Sequence, residues 1–264
     1  ASPSVAERIG LGSFYFFHRH VIFLALAAIV IFAFSYLPEK TLRKLCLAGF
    51  LCTLCFMMTL PFLGDEVKGA KRWISIAGLS IQPSEFLKPF MATIVGMILA
   101  ERNTNGKIPG FSMVGVLYSI SVLLLLIQPD FGMTVLISVV WLAQLVLAGL
   151  PLVFVLGLLA LGLTGSAIAY LFVPHIASRV DRFLHPDSGD HYQVSRALEA
   201  FQNGGWLGVG PGEGQVKMSI PDAHADFIFS VAGEEFGFVV CAVIVALFAF
   251  IVLRGFWRLR YETS

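Results

Sequence analysis

Seven apolar segments, each close to the length needed to cross a lipid bilayer, dominate this sequence of 264 residues. They run approximately over residues 21–37, 45–63, 86–100, 111–127, 131–149, 152–173 and 226–253. An α-helix needs about 20 mainly apolar residues to span the hydrocarbon core. Because 57% of the residues are hydrophobic and only 13% are charged, one soluble core could not enclose this much apolar surface. The sequence therefore predicts an all-α polytopic membrane protein with about seven transmembrane helices.

Positive charges predict the orientation of these segments, because Lys and Arg are enriched in cytoplasmic loops. Eight of the 18 lysines and arginines fall within three short stretches, residues 38–44, 101–110 and 254–264. The longest polar stretch, residues 174–225, separates the sixth and seventh segments on the opposite side. We therefore expect residues 1–253 to form a single transmembrane domain with 174–225 as a large extracytoplasmic loop, followed by a basic cytoplasmic tail, 254–264.

This orientation places the N-terminus outside the cytoplasm, although no cleavable signal peptide precedes the first segment. We therefore expect the chain to be a fragment that is cut at both ends. A net charge of +1 and the lack of any run of Lys and Arg do not favour nucleic acid as a partner.

The outer loop before the third segment is the first candidate binding site. It reads GAKRWISIAGLSIQPSEFLKP and holds Lys71, Arg72, Trp73, Gln82 and Glu85. One interpretation is an interfacial belt, with the tryptophan at the level of the lipid headgroups. The other is a cationic mouth that recognises phosphate, because charges within or beside membrane spans are costly and often functional. Both interpretations stay open from the sequence.

Two further groups lie on the outer side. Asp130 belongs to QPDFG between the fourth and fifth segments, where it either caps a solvated turn or faces the long loop. In the long loop, Gln193 and Arg196 precede a run of alternating glycines that leads to Lys217. Such glycines permit close backbone approach to a ligand, or nests of N–H groups that face an anion. A flexible surface loop is the alternative; otherwise Arg196 and Lys217 are placed to hold a pyrophosphate.

The polar residues that lead into the last segment form the sharpest pattern. Asp226 follows His224 in PDAHADFIF, and Glu234 lies eight residues further on. A carboxylate at the first turn of a helix is stabilised by the helix dipole, so Asp226 could be a simple N-cap. Glu234, however, lies within about 80° of Asp226 on a helical wheel and inside the apolar segment. A plain membrane anchor would avoid such a cost, which favours a functional site.

Together these motifs resemble the SEDS family of cell-wall proteins. The resemblance is carried by GAKRWISIAGLSIQPSEF, QPDFG and YQVSRALEAFQNGGWLGVGPGEGQVKMSIPDAHADFIFSVAGEEFG. The run GVGPGEGQVK is closer to the cell-division branch of the family than to its elongation branch. The resemblance implies ten membrane spans, of which the seven segments of this chain match the second to the eighth.

The resemblance also implies an activity: a peptidoglycan glycosyltransferase that polymerises lipid II at the outer face of the bacterial inner membrane during septal wall synthesis. It places the catalytic aspartate on Asp226, as the general base for the acceptor hydroxyl, with Ala225 where the family commonly has Thr. The candidates for binding the substrate and its pyrophosphate are Arg72, Lys71, Arg196, Lys217, Gln193 and His224. The supporting candidates are Trp73, Gln82, Glu85, Asp130 and Glu234.

Membrane partners are implied in the same way, namely a class B penicillin-binding protein transpeptidase and other divisome membrane proteins. We expect no resident metal site or certain cofactor, and an Mg²⁺ or Mn²⁺ ion that assists the pyrophosphate stays open. A lipid II translocase and a divisome scaffold that recruits a transpeptidase are the alternative functions. A translocase needs a polar path through the bilayer, and a scaffold would not need Asp226. Within the family, an elongation polymerase is the alternative.

Overall fold

The computed structural model describes residues 14–67, 70–76, 79–106, 108–172, 192–220 and 226–259, together with residues 6, 10, 12, 177, 181 and 223. The helices bounded within these residues are α1 Tyr15–Ser35, α2 Glu39–Leu63, α3 Pro83–Asn105, α4 Gly110–Ile127, α5 Phe131–Leu147, α6 Leu152–Phe172, α7 Tyr192–Gly204 and α8 Ile228–Leu259. Seven of them coincide with the seven predicted segments. The remaining helix, α7, lies within the long polar stretch.

The lengths and compositions of these helices suit a membrane. In the described residues, five helices are long and apolar enough to cross a bilayer, namely α1, α2, α4, α6 and α8. Helix α5 is equally apolar but has only 17 residues. Helix α3 carries charged residues near both of its ends, as in Glu85 and Arg102. The chain is therefore a polytopic α-helical membrane protein, as the apolar segments predicted.

The chain divides into two compact units, residues 33–177 and residues 1–32 with 178–264. In the first unit, α2 packs against α3, and α4 and α5 complete the contacts around α3. Buried side chains from all four helices meet in one core, including Phe50, Leu87, Val114 and Trp141. The indole of Trp141 stacks on the ring of Tyr118, with the ring centroids 4.1 Å apart. Leu125 and Met133, on either side of the turn between α4 and α5, belong to the same core, which positions this turn.

A small antiparallel sheet joins α2 to α3 in the same unit. Its strands are β1 Asp65–Val67, β2 Ala70–Ile76 and β3 Leu79–Ile81, in the order β1-β2-β3. The register pairs Asp65 with Trp73 and Ile74 with Ile81. The sequence predicts only a short loop here, so the sheet is an addition to the predicted fold.

In the second unit, α7 and a short 3₁₀ turn at Val216–Met218 pack against α8. A small buried cluster holds them together: Ala200, Ile220, Ala223 and Val231. The stretch predicted as one large loop thus folds, in the part the structure describes, onto the first turns of the last membrane helix.

Helix α8 is interrupted at Gly237, whose φ of 78° and ψ of −177° are not helical. The loop after α7 supplies hydrogen-bond partners for the backbone groups that the interruption would leave unpaired. Before the break, the carbonyls of Glu234 and Glu235 accept hydrogen bonds from the amides of Val209 and Gly210, at 3.0 and 3.1 Å. Backbone polar groups within a membrane must find partners in the protein. The loop provides them, so loop and helix form one packed element.

After the break, the amides of Phe238 and Val239 donate to the carbonyls of Gly205 and Trp206, at 2.9 and 3.2 Å. Close backbone approach at this point requires glycine, since a Cβ on Gly237 would lie 2.3 Å from the backbone nitrogen of Gly208. Gly237 lies nine residues after the start of α8, which places the break about 13 Å along the helix.

Candidate functional site

Asp226 lies in the turn immediately before α8, and its side chain is exposed. Its neighbour Phe227 is half-buried, and the backbone carbonyl of Phe227 accepts from the amides of Ser230 and Val231 at 3.0 and 3.2 Å. These two hydrogen bonds form the first turn of α8, and Phe227, which accepts them, directly follows Asp226. A carboxylate in this position is accessible to a ligand while its backbone is anchored on a packed helix.

Arg72, in β2, lies against the turn between α4 and α5. Its Nε donates to the carbonyl oxygen of Gln128 at 3.1 Å, and one terminal nitrogen donates to the carbonyl oxygen of Pro129 at 2.5 Å. The other terminal nitrogen lies 3.8 Å from a carboxylate oxygen of Asp130. The guanidinium therefore ties the β1-β2-β3 sheet to the QPDFG turn, and the Arg72 side chain is only 18% exposed.

Asp130 is buried and joins three parts of this unit. Its Oδ1 accepts the backbone N–H of Met133 at 3.3 Å, which caps α5, and its Oδ2 accepts the side-chain amide of Gln82 at 3.3 Å. Gln82 also donates to the hydroxyl of Ser84 at 3.0 Å. Three of the predicted site residues, Arg72, Gln82 and Asp130, thus lie together in one hydrogen-bonded group. Asp130 caps α5, as one interpretation predicted, but it is buried, so the expectation of a solvated cap is wrong.

The other candidates of the outer loop are more exposed. The Nζ of Lys71 donates to the carbonyl oxygen of Pro61 at 3.3 Å, at the end of α2. Glu85 forms an ion pair with Lys88 one turn along α3, with an N–O distance of 2.5 Å. Trp73 is half-buried. These residues border the Arg72 group without joining its hydrogen bonds in the described part of the chain.

Helix α7 carries Gln193 and Arg196 on one side. The guanidinium of Arg196 donates to Glu199 at 2.6 Å and lies over the ring of Tyr192, 5.2 Å from its centroid. The hydrogen bond to Glu199 raises the pKa of Arg196 above its ordinary value. Because arginine is already charged at neutral pH, this shift does not change its charge, and Arg196 and Glu199 form an ion pair on the exposed part of α7.

Glu234 is fully buried, and its carboxylate is surrounded by donors. Its Oε1 accepts from the side-chain amide of Asn203 at 2.9 Å and from the backbone amides of Gln215 and Val216, at 2.9 and 2.8 Å. Its Oε2 accepts from the backbone amide of Lys217 at 2.9 Å. The sequence suggested a nest of N–H groups around an anion, and in this structure the anion is a side chain of the protein itself.

Lys217 is buried beside this nest, with only 3% of its side chain exposed. Its ammonium group donates to the carbonyl oxygen of Gly212 at 2.8 Å and forms an ion pair with Glu235. Both contacts are internal. In this conformation the ammonium of Lys217 is covered, in contrast to the accessible position expected of a pyrophosphate ligand.

Two further expectations concern His224 and a metal ion. His224 lies outside the described residues, so its proposed role stays a prediction. Within the described ranges, no three His, Cys, Asp or Glu side chains are grouped as metal ligands. The suggestion of a divalent cation beside the pyrophosphate likewise stays a prediction.

The comparison with protein families bears on the whole sequence. The model of a family of cell cycle proteins named for FtsW, RodA and SpoVE matches residues 2–263. The chain belongs to the FtsW/RodA/SpoVE family. This confirms the resemblance to SEDS proteins that the motifs around Arg72, Asp130 and Asp226 indicated.

Similar proteins place the chain nearer to the division branch of the FtsW/RodA/SpoVE family. A probable peptidoglycan glycosyltransferase FtsW of Caulobacter vibrioides is 40% identical over 98% of this chain. A solved peptidoglycan synthase complex, described as coordinating polymerisation and crosslinking, matches with a TM-score of 0.70 and 25% identity over 90% of this chain and 68% of its own. RodA of Thermus thermophilus, with a TM-score of 0.57 and 24% identity over 90% of this chain and 63% of its own, shares the fold. The chain spans about 65–66% of the length of the first curated relatives that it matches.

Sequence reasoning missed two residues of these groups. Asn203 binds Glu234 across 31 positions of sequence, and Ser84 is a buried partner of Gln82. The only sequence signal for Asn203 was its place near the end of the strongly amphipathic helix α7. No sequence motif distinguishes Ser84, and the only signal is its position at the start of α3.

Proposed function

We propose that this protein is a peptidoglycan glycosyltransferase that polymerises lipid II into β-1,4-linked glycan strands. The names of its FtsW relatives support this activity. The observation that carries the proposal is the exposed carboxylate of Asp226 in the turn just before α8. Its position matches the catalytic aspartate that the family motif implies.

The chemistry follows from one accessible carboxylate. Asp226 acts as the general base that takes the proton from the 4-hydroxyl of the acceptor sugar. The freed oxygen attacks the anomeric carbon of the donor, and the bond from that carbon to undecaprenyl pyrophosphate breaks. Attack from the opposite face converts the α-linked donor into a β-1,4 linkage. The leaving pyrophosphate carries its negative charge away, so it needs cations more than it needs a proton.

Cations for that pyrophosphate are available on the outer side. Arg72 has guanidinium N–H groups beyond the two that bind the carbonyls of Gln128 and Pro129. Lys71 is exposed beside it, and Arg196 is a partly exposed arginine on α7 that is paired with Glu199. We propose that Arg196, which lies in the same compact unit as Asp226, stabilises the leaving group, with Gln193 and His224 as further contacts to the substrate. Arg72 and Lys71 stay predictions from the sequence motif.

The translocase alternative finds less support. A transporter needs polar groups that line a path, whereas Glu234, Glu235 and Lys217 are buried and bind one another or the loop in the described part of the chain. The scaffold alternative is tested by Asp226, which a scaffold does not need. A membrane transpeptidase is the partner we propose, since the similar synthase complex combines polymerisation with crosslinking. We place the protein in the bacterial inner membrane at the septum, with its site facing the periplasm.

The test is a reconstitution of the full-length protein with its cognate transpeptidase in proteoliposomes that contain fluorescent lipid II. Glycan chains on a gel report polymerisation, and access of an external quencher reports translocation. We expect wild type to make chains, Asp226→Ala to make none, and the exposed Glu213→Gln control to match wild type. Lipid II movement without chains, in both wild type and Asp226→Ala, would instead support a translocase.

A further inference from the structure

The loop after α7, residues 205–217, is rich in glycine and is called the glycine-rich loop below. Two of its contacts with α8 take no part in the reaction described above. The first is the Glu234 carboxylate inside its four donors, and the second is the buried pair of Lys217 and Glu235. The charged side chains themselves are buried: Glu234, Lys217 and Glu235 are 0%, 3% and 8% exposed. Charges within a membrane helix are costly, so complete pairing of both carboxylates indicates a specific role.

The contacts join the loop to α8 at successive positions along the helix. At the Glu234 level, three successive amides of residues 215–217 point at one carboxylate. At the break, backbone bonds link residues 205–210 to both sides of Gly237. Gly214 packs directly on the Glu234 carboxylate, where a Cβ would lie 2.8 Å from Oε2. The loop is therefore fastened along the whole first half of α8.

That first half begins two residues after Asp226. The buried cluster of Ala200, Ile220, Ala223 and Val231 joins α7 and the loop to α8, and Ala223 lies three positions before Asp226 in the sequence. Any shift of the loop relative to α8 would therefore change the position of the exposed carboxylate, although no contact with Asp226 itself is needed.

We propose that Glu234 and the Lys217–Glu235 pair are positioning residues, which fasten the glycine-rich loop to the interrupted helix and thereby hold Asp226 in its reactive place. The role of Lys217 is internal, and it is not a ligand of the pyrophosphate. This inference rests on the proposed function of Asp226. Its structural half, the fastening of the loop, can be measured without any reaction.

Hydrogen–deuterium exchange of the full-length protein with its partner, in lipid nanodiscs, measures that half. We expect the amides of residues 215–217 to exchange about tenfold faster in Glu234→Gln than in wild type, because the variant amide offers one acceptor oxygen where the carboxylate offers two. Glu213→Gln, an exposed carboxylate of the same loop, is the matched control and should leave exchange unchanged. Equal exchange in Glu234→Gln and wild type would overturn the proposal.

A double-mutant comparison separates positioning from direct binding. Lys217→Met leaves Glu235 buried without its cation, and we expect the kcat of lipid II polymerisation to fall about tenfold with KM within about twofold of wild type. Lys217→Met with Glu235→Met removes both charges and should restore most of the kcat. If Lys217 binds the pyrophosphate, the double variant stays as impaired as the single one, and that result contradicts the proposal.

The two proposals fail in different ways. Polymerisation that survives Asp226→Ala removes the proposed function, while the exchange experiment still reports whether the loop is fastened. Should Glu234→Gln fail to fold, the comparison at Lys217 and Glu235 decides the inference by itself.

Discussion

The side-chain amide of Gln128 donates a hydrogen bond to the backbone carbonyl of Met57 at 3.1 Å, across 71 positions of sequence. Met57 lies in α2, four residues before Pro61, which has no backbone N–H to offer. Gln128 therefore supplies the donor that the helix lacks. The other half of its amide, Oε1, is buried without a partner in the described part of the chain.

This relationship predicts a rescue. Gln128→Leu leaves the Met57 carbonyl without a donor but also removes the unpartnered Oε1, so it should lower the free energy of unfolding by no more than about 3 kcal/mol. Adding Pro61→Ala restores a helical N–H four residues after Met57, so the double variant should recover most of that loss. The measurement is the thermal midpoint of the detergent-solubilised protein, followed by size-exclusion fluorescence.

Gln144 provides the matched control for this experiment. Its amide donates to the carbonyl of Ala92 at 2.7 Å, but four residues later stands Gly96, which keeps its own N–H. Gln144→Leu should therefore cost less than Gln128→Leu. Equal losses for the two glutamines, or no recovery with Pro61→Ala, would show that the missing proline donor is not the reason.

Arg72 fastens the β1-β2-β3 sheet to the turn between α4 and α5. Arg72→Ala removes the donors of two carbonyls and the cation beside Asp130, and should lower the free energy of unfolding by about 1–3 kcal/mol. Arg72→Lys should recover little of this, because one ammonium cannot reproduce the planar fork of a guanidinium. Arg43→Ala, which removes an exposed pair with Glu39, should cost less than about 0.5 kcal/mol in the same unfolding assay. A loss for Arg72→Ala as small as that for Arg43→Ala would argue against the fastening role.

The break in α8 requires glycine. Gly237→Ala combines a positive φ with a Cβ only 2.3 Å from the nitrogen of Gly208. We expect it to cost about 3 kcal/mol or more, from backbone strain and overpacking together. Gly157→Ala, in the exposed interior of α6 with nothing near its Cβ, should be neutral or stabilise by up to about 1 kcal/mol. The yield of monodisperse protein and its thermal midpoint compare the two, and equal behaviour would mean that loop and helix are not in close contact.

The apolar segments predicted the membrane helices well, because a run of about 20 apolar residues has few other stable structures. Their polar ends were less visible: α3 extends from Pro83 to Asn105, beyond the predicted 86–100, and ends at Gly106 with a left-handed cap. The three-residue strands β1 and β3 carry too little pattern to be read from sequence. Their pairing depends on turns rather than on hydrophobic periodicity.

The candidate site was only partly readable for a related reason. Motif resemblance marked Arg72, Asp130 and Glu234, and the structure finds all three as hydrogen-bonded groups. The partners are distant in sequence, as Asn203 is from Glu234, so single-sequence patterns could not identify them. Lys217 illustrates the limit, since a lysine after a glycine run suggests an anion ligand, yet its ammonium binds Glu235 in this structure.

The central claim is that the Asp226 carboxylate is the general base of glycan polymerisation. The most direct measurement is the initial rate of lipid II polymerisation by the full-length protein with its transpeptidase, comparing wild type with Asp226→Asn, which keeps the shape and removes the base. We predict a fall in kcat of at least about 10²-fold, with membrane insertion and transpeptidase binding unchanged. A kcat for Asp226→Asn within about twofold of wild type would contradict the claim.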